Sequence, residues 1–251
     1  MWLPDVYAGA PTSVGVFIAI APKLAVFIVA YRVLKGSYNE LIVHWQNIII
    51  LLAALSIGFG NIVAIAQSNI KRMLAYSTIA NIGFAVLGLI TGDPTGFSAA
   101  MFYIIVYALI YLGVFGVVLL LSSEGIEFDN IADFRGLGAR SPLFATIMAT
   151  FMFSIAGLPP TAGFYAKFLV LNAMVGKGYI GLAVLILLFS VVGAFYCLKI
   201  IKTMFFDKAL DDGCFIYNDI SYTGTVVLSI NSLAVLLLGI FPNLLYMCIS
   251  H

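Results

Sequence analysis

Charge is what this sequence has least of. Asp, Glu, Lys and Arg make up 9% of its 251 residues while 63% are hydrophobic; soluble domains carry roughly 25% charge. That balance excludes a soluble globular domain. A net charge of +1 gives no electrostatic footprint for nucleic acid. Histidine and cysteine are sparse too. The three cysteines, Cys197, Cys214 and Cys248, stand far apart, with neither metal-ligand spacing nor a disulfide framework. The 23 glycines are scattered through apolar runs and form no nucleotide-binding fingerprint. The start, Met1-Trp2-Leu3-Pro4-Asp5, is neither cationic nor followed by a small-residue cleavage site, so no secretory signal is expected. Period-2 alternation is missing, which argues against a membrane barrel.

What remains is long apolar runs. A spanning helix needs about 20 apolar residues. Seven candidate spans run over 12–34, 43–67, 72–91, 97–121, 142–174, 179–205 and 223–249. The expected fold is therefore an all-α, polytopic membrane helix bundle of about seven transmembrane helices, a single membrane domain over residues 1–251. The fifth run is too long for a straight helix, and Gly157, Pro159, Pro160 and Gly163 interrupt it, so one broken helix is expected near 157–163. Two loops are longer than the rest, from Ser122 to Ser141 and from Phe206 to Tyr222.

Lys71, Arg72, Arg135, Arg140, Lys199, Lys202 and Lys208 gather on the side where the first span begins; Arg32, Lys35 and Lys177 lie opposite. This asymmetry puts the N-terminus on the cytoplasmic or matrix side. Two cations remain, Lys23 and Lys167, and both fall inside spans. All 11 acidic residues fall in loops or at helix ends. Charges at membrane depth cost about 2.5–3.5 kcal/mol on insertion scales and are normally paired. The sequence therefore predicts that these lysines are partly neutral or that their carboxylate partner sits on another polypeptide.

Lys23 follows Pro22 near mid-span, and Lys167 follows the broken segment; both are read as groups for proton transfer rather than as snorkelling side chains. Tyr103, Tyr107 and Tyr111 stand at i, i+4 and i+8 on one face of the fourth span, where they either order water or pack. Ser77, Thr78 and Asn81 read as hydrogen-bonding helix contacts, with Asn81 the most suspect. Lys71, with Arg72, closes the second span and reads first as an interfacial anchor. Asn81, Lys71 and the three tyrosines complete the set of candidate channel-lining residues. For an amine to load and unload near neutral pH, its proton affinity must fall by ~3 pH units, about 4 kcal/mol. A membrane potential supplies about 2.3 kcal/mol per charge per 100 mV. The two magnitudes are comparable, so a modest electrostatic push suffices to move the proton.

Three blocks carry a resemblance. Met1-Trp2-Leu3-Pro4-Asp5-Val6-Tyr7-Ala8-Gly9-Ala10-Pro11-Thr12 resembles the run leading into the eighth helix of the subunit N family of respiratory complex I, also called NADH dehydrogenase subunit 2. The stretch from Gly60 to Ile79 is similar to that family's most recognisable segment, and Ala156 through Lys167 to its broken twelfth helix. The last two blocks are shared with Mrp-type antiporters. The resemblance covers the whole chain and implies helices eight to fourteen of a fourteen-helix antiporter-like subunit. It implies a proton-translocating membrane-arm subunit of NADH:ubiquinone oxidoreductase, with Lys23 as the connecting lysine and Lys167 as the exit-side lysine. A Mrp-type cation/proton antiporter subunit and a purely structural membrane-arm subunit are the alternatives. The family's helix-five glutamate and helix-seven lysine have no counterpart here, so a split subunit or a fragment is expected. The implied partners are a polypeptide carrying the missing N-terminal helices, other complex I membrane-arm subunits, and lipids. No cofactor is expected on this chain; NADH, FMN, iron-sulfur clusters and quinone would sit in other subunits. The expected location is the mitochondrial inner membrane, or alternatively the bacterial plasma membrane.

Overall fold

The computed structural model describes residues 2–36, 42–122, 128–208 and 221–250. Glu124 and Glu127 of the first long loop, and Asp211, Asp212 and Asp219 of the second, lie outside the described residues. The helices are α1 (Trp2–Gly9), α2 (Thr12–Gly36), α3 (Ile42–Ile65), α4 (Ile70–Ile90), α5 (Pro94–Leu121), α6 (Leu137–Arg140), α7 (Pro142–Ala156), α8 (Ala162–Gly176), α9 (Ile180–Phe205), α10 (Tyr222–Ile240) and α11 (Asn243–Ser250). Six of them are long and apolar enough to cross a membrane, and α7 and α8 are shorter apolar helices laid end to end. Together they make the expected bundle of seven spans.

Local chemistry sets the boundaries. The Asn69 side chain accepts from the Arg72 backbone N–H at 3.0 Å and starts α4. Asp93 does the same for α5, with Pro94 in the first turn, where a missing N–H costs nothing. Two departures from the sequence reading have plain causes. The last span is not one helix over 223–249: it stops at Ile240 and resumes at Asn243. Pro242 bars the α region to the residue before it, and Phe241 sits at φ −120°, ψ 65°. The first span, in turn, is preceded by the short helix α1, whose Tyr7 is fully buried edge-on to Phe115.

The core lies around α4 and α5. Helix α4 is largely buried inside the protein, whereas little of α2 is. Helix α3 packs closely on α4 through small residues. A side chain at Gly60 would meet Ala80 N and Tyr76 O at 2.8 Å, and one at Gly83 would meet Ala53 O at 2.9 Å. Such contacts are how helices associate where lipid removes the hydrophobic drive. The outward faces of α2, α3, α9 and α10 carry exposed Val, Leu, Ile and Phe, the surface a bilayer or neighbouring helices would cover.

The break between α7 and α8 follows the Schellman pattern. Gly157 takes φ +81°, its N–H donating to Ser154 O at 3.1 Å, while the Leu158 N–H reaches back to Phe153 O at 3.1 Å. Across the break, the Gly163 N–H donates to Ser154 Oγ at 3.0 Å and ties the start of α8 to the end of α7.

At the end of the bundle where α4 starts and α5 finishes, residues 128–134 dock on the turn before α4. Ile70 N–H donates to Asp129 O at 2.7 Å and Ile131 N–H to Ser68 O at 2.9 Å. Lys71 is buried here and pairs with Asp129 at 2.8 Å. The partner comes from a loop about sixty residues away in sequence, so the cation expected at this helix end is held in a buried ion pair. Arg72 stays at the rim, 3.0 Å from Asp5. At the opposite end, Lys177 lies 3.5 Å from Asp93.

Two outcomes follow from these boundaries. Gly157→Ala meets a positive φ that costs an L residue roughly 1–2 kcal/mol, and its methyl would lie 2.9 Å from Lys167 Cδ; a clear drop in Tm is expected, and an unchanged Tm would show that the break is not held as described. For Asp93, burial would raise the carboxyl's pKa, but the Gly96 N–H, the Thr91 and Thr95 hydroxyls and the Lys177 ammonium outweigh it and lower it. A lowered folded value means stability that is present above the ordinary carboxylate range and lost as pH falls through the folded pKa. The Tm difference between parent and Asp93→Asn should therefore hold from neutral pH down to about 4 and shrink below it.

Candidate proton-transfer site

Helix α2 continues through Pro22, whose ring leaves Ile18 O without its helical donor. One residue on, Lys23 turns inward. Its ammonium donates to Thr78 Oγ1 of α4 at 3.1 Å and sits over two aromatic faces, Tyr111 at 4.5 Å and Tyr7 at 5.8 Å from the ring centroids. A cation over a desolvated ring gains up to about 2 kcal/mol. Hydroxyl and π faces thus replace the water that Lys23 lost.

Lys167 solves the same problem differently. The Schellman turn satisfies Phe153 O and Ser154 O and leaves the last two carbonyls of α7 open. Lys167 Nζ donates to both, Ile155 O at 2.9 Å and Ala156 O at 3.0 Å. Its third bond goes to Ser190 Oγ of α9 at 3.0 Å, and its charge lies 5.5 Å from the Phe84 ring centroid. A helix C-terminus carries partial negative charge, and an ammonium complements it. Gly157 makes this approach feasible, since a side chain there would strike Lys167.

Between the two lysines lies a buried polar cluster on α4, α5 and α9. Tyr111 OH donates to Ser77 Oγ at 3.0 Å; Asn81 Nδ2 donates to Ser77 Oγ at 3.3 Å and to Tyr111 OH at 3.2 Å. Tyr103 OH donates to Asn81 Oδ1 at 3.1 Å. Tyr196 OH and Ser77 Oγ are 2.8 Å apart. Tyr103 and Tyr107 stack with centroids 4.3 Å apart, and Tyr107 OH donates to Ile155 O at 3.3 Å, the carbonyl that Lys167 also uses. A cavity of about 30 Å³ is lined by Lys23, Thr78, Asn81, Tyr103, Tyr107 and Tyr111 together with apolar residues of α2, α4 and α5. One water needs about 10–15 Å³ of such space and two to four polar partners, so the cavity admits a water or two.

The structure thus brings together Lys23, Lys167, Asn81, Tyr103, Tyr107 and Tyr111. Lys71 is not among the residues lining the cavity; it belongs to the ion pair with Asp129. Among the described residues neither Lys23 nor Lys167 pairs with a carboxylate. Sequence reasoning missed Ser190 and Tyr196. A lone hydroxyl on an apolar helix gives little signal, although Ser190 and the buried Cys197 recur seven residues apart, on one face of α9. Among the described residues no group of three or more His, Cys, Asp or Glu side chains gathers to hold a metal.

Comparison with known proteins gives the family. Residues 1–194 match the NADH:quinone oxidoreductase/Mrp antiporter transmembrane family. A Thioalkalivibrio sulfidiphilus protein named NADH-quinone oxidoreductase subunit N is 52% identical over 245 residues, covering 98% of this chain and 50% of the relative. Its namesake in Thiobacillus denitrificans is 49% identical over 251 residues, covering 100% of this chain and 51% of the relative. The chain thus spans about half the length of the curated relatives it matches. Among solved structures, respiratory complex I from Thermus thermophilus with bound aureothin superposes with a TM-score of 0.83 at 33% identity, over 98% of this chain and 53% of that one. The Mrp complex from Dietzia sp. shares the fold, with a TM-score of 0.86 at 18% identity, over 99% of this chain and 54% of that one.

Proposed function

This chain belongs to the NADH:quinone oxidoreductase/Mrp antiporter transmembrane family, and from that premise we propose that it carries the connecting and exit-side lysines of a proton channel in the membrane arm of respiratory complex I. One observation carries the reading. Two lysines in membrane-crossing helices are each solvated by neutral protein groups, and a buried hydroxyl cluster lies between them. Such an amine can hold a proton or release it without a permanent counter-charge locking it in one state.

In this reading Lys23 receives a proton from the helices that correspond to the other half of the relatives, whichever chain carries them. A carboxylate there supplies the moving negative charge that these residues lack. Lys167 takes the proton next and passes it toward the exit side. The helix break gives the ammonium a fixed seat at Ile155 O and Ala156 O. NADH, FMN, iron-sulfur clusters and quinone belong to other subunits, so this chain contributes translocation rather than a redox site. The companions are other membrane-arm subunits and lipid. The relatives described above are bacterial proteins, which supports the bacterial plasma membrane over the mitochondrial inner membrane as the location.

The test is NADH-driven proton pumping by the assembled complex in sealed vesicles. Lys167→Ala and Lys23→Ala should each impair translocation while the complex stays assembled, because a neutral side chain cannot carry the proton. Lys→Arg at either position should not restore it, since a guanidinium stays protonated. A normal proton-to-electron ratio in assembled Lys167→Ala would refute the role of Lys167. Sodium-dependent transport without redox input would instead favour the antiporter.

A further inference from the structure

Two chains of polar groups leave the neighbourhood of Lys23 for Lys167, and they differ in chemistry. One follows α5. Tyr103 OH donates to Asn81 Oδ1, the Tyr103 and Tyr107 rings stack, and Tyr107 OH ends on Ile155 O. Water in the cavity that Lys23 shares with Tyr103 and Tyr107 can enter this chain, but a backbone carbonyl stands at its far end, and a carbonyl accepts a hydrogen bond while having no proton of its own to hand on. Lys167 meets Tyr107 only through an oxygen that both of them donate to.

The other follows α9, and hydroxyls stand at both of its ends. A serine hydroxyl has one donor and two acceptor positions. Ser77 Oγ accepts from Tyr111 OH and from Asn81 Nδ2, which fills both acceptor positions. Its own proton is then best placed toward Tyr196 OH, 2.8 Å away, a contact in which either atom can donate. When Ser77 donates, Tyr196 keeps its proton for the onward step. Helical side chains lean toward the N-terminus of their helix, and for α9 that direction runs from Tyr196 toward Ser190. The buried Cys197 thiol interacts with both Tyr196 and Lys167. Of the three groups that accept from Lys167 Nζ, only Ser190 has a proton to exchange. The register of α9 here is fixed from α3: Asn61 Nδ2 donates to Phe189 O at 3.1 Å, and the Asn61 side chain fills the space over Gly193.

We infer that the proton crosses from Lys23 to Lys167 along α9, through Tyr111, Ser77, Tyr196 and Ser190, and that the Tyr103–Tyr107 ladder of α5 is packing. The inference rests on the proton-channel reading given above. In each transfer an oxygen gains one proton and releases another. The Lys23 ammonium gives a proton to water in the cavity, which passes one to the Tyr111 hydroxyl. Tyr111 protonates Ser77, Ser77 protonates Tyr196, and the step from Tyr196 to Ser190 requires one bridging water. Ser190 then hands its proton to the neutral amine of Lys167. The net change is one proton moved from one lysine to the other, with no oxidant or reductant.

The experiment compares conservative variants of the assembled complex in vesicles, reading the proton-to-electron ratio during NADH oxidation, with Lys167→Ala as the benchmark. Tyr196→Phe and Ser190→Ala should fall to the benchmark level, and Ser190→Thr, which keeps a hydroxyl, should recover the parent ratio. Tyr103→Phe and Tyr107→Phe, which keep their rings, should lose less pumping than Tyr196→Phe. An equal or larger loss in Tyr103→Phe or Tyr107→Phe would overturn the route, as would normal pumping in Tyr196→Phe or a failure of Ser190→Thr to rescue. If Lys167→Ala itself pumps normally, the proton-channel reading fails, an outcome distinct from a wrong route.

Discussion

A bilayer offers no water to an unpaired carbonyl, and this constraint acts hardest on the break between α7 and α8. Four carbonyls come free where α7 ends. The Schellman turn at Gly157 takes up two of them, and Lys167 takes up the other two. Neither group would be at ease without the other. The carbonyls need a donor that lipid cannot supply, and the ammonium needs acceptors that lipid cannot supply. Much of the neighbouring architecture serves this contact. Gly163 lets the start of α8 close on Ser154, Ser190 completes the ammonium's shell from α9, and the end of α10 backs the break, with Gly239 against the Pro160–Ala162 backbone.

Lys23 sits in a softer environment. Its contacts are one hydroxyl and two aromatic faces, beside a cavity large enough for water. Helix α4 links the two lysine sites, since Thr78, Ser77 and Asn81 lie within little more than one turn of it. These three polar residues are therefore placed by a helix that is largely enclosed by the rest of the bundle. That helix is fixed at one end by its Asn69 cap and by the loop that brings Asp129 to Lys71.

Much of this was legible in the sequence because the membrane makes exceptions conspicuous. Lys23 and Lys167 stood out as charges in apolar runs, the break as two prolines and two glycines in an overlong span, and the tyrosine ladder as a repeat of four. Pro242 is equally visible, and its effect on Phe241 makes a break predictable, but the apolar residues on both sides mask it. Lys71 shows in the sequence only as a cation at a helix end, because its partner lies in a loop remote in sequence. Ser190 and Tyr196 carry no such signal: an isolated hydroxyl in an apolar helix is common packing, and only the fold shows which ones meet a lysine.

The seat of Lys167 is made of main chain. Ile155 and Ala156 offer it carbonyl oxygens, and nothing in their side chains announces a cation site. Apolar residues of similar size at those two buried positions would present the same oxygens in the same places. Mutational scanning of α7 would therefore find the receptor for this charge almost featureless. Its genetic footprint would fall instead on Gly157, which touches no proton and yet sets the direction in which those oxygens point. A residue can thus be indispensable to a charge-carrying site while contributing no chemical group to it.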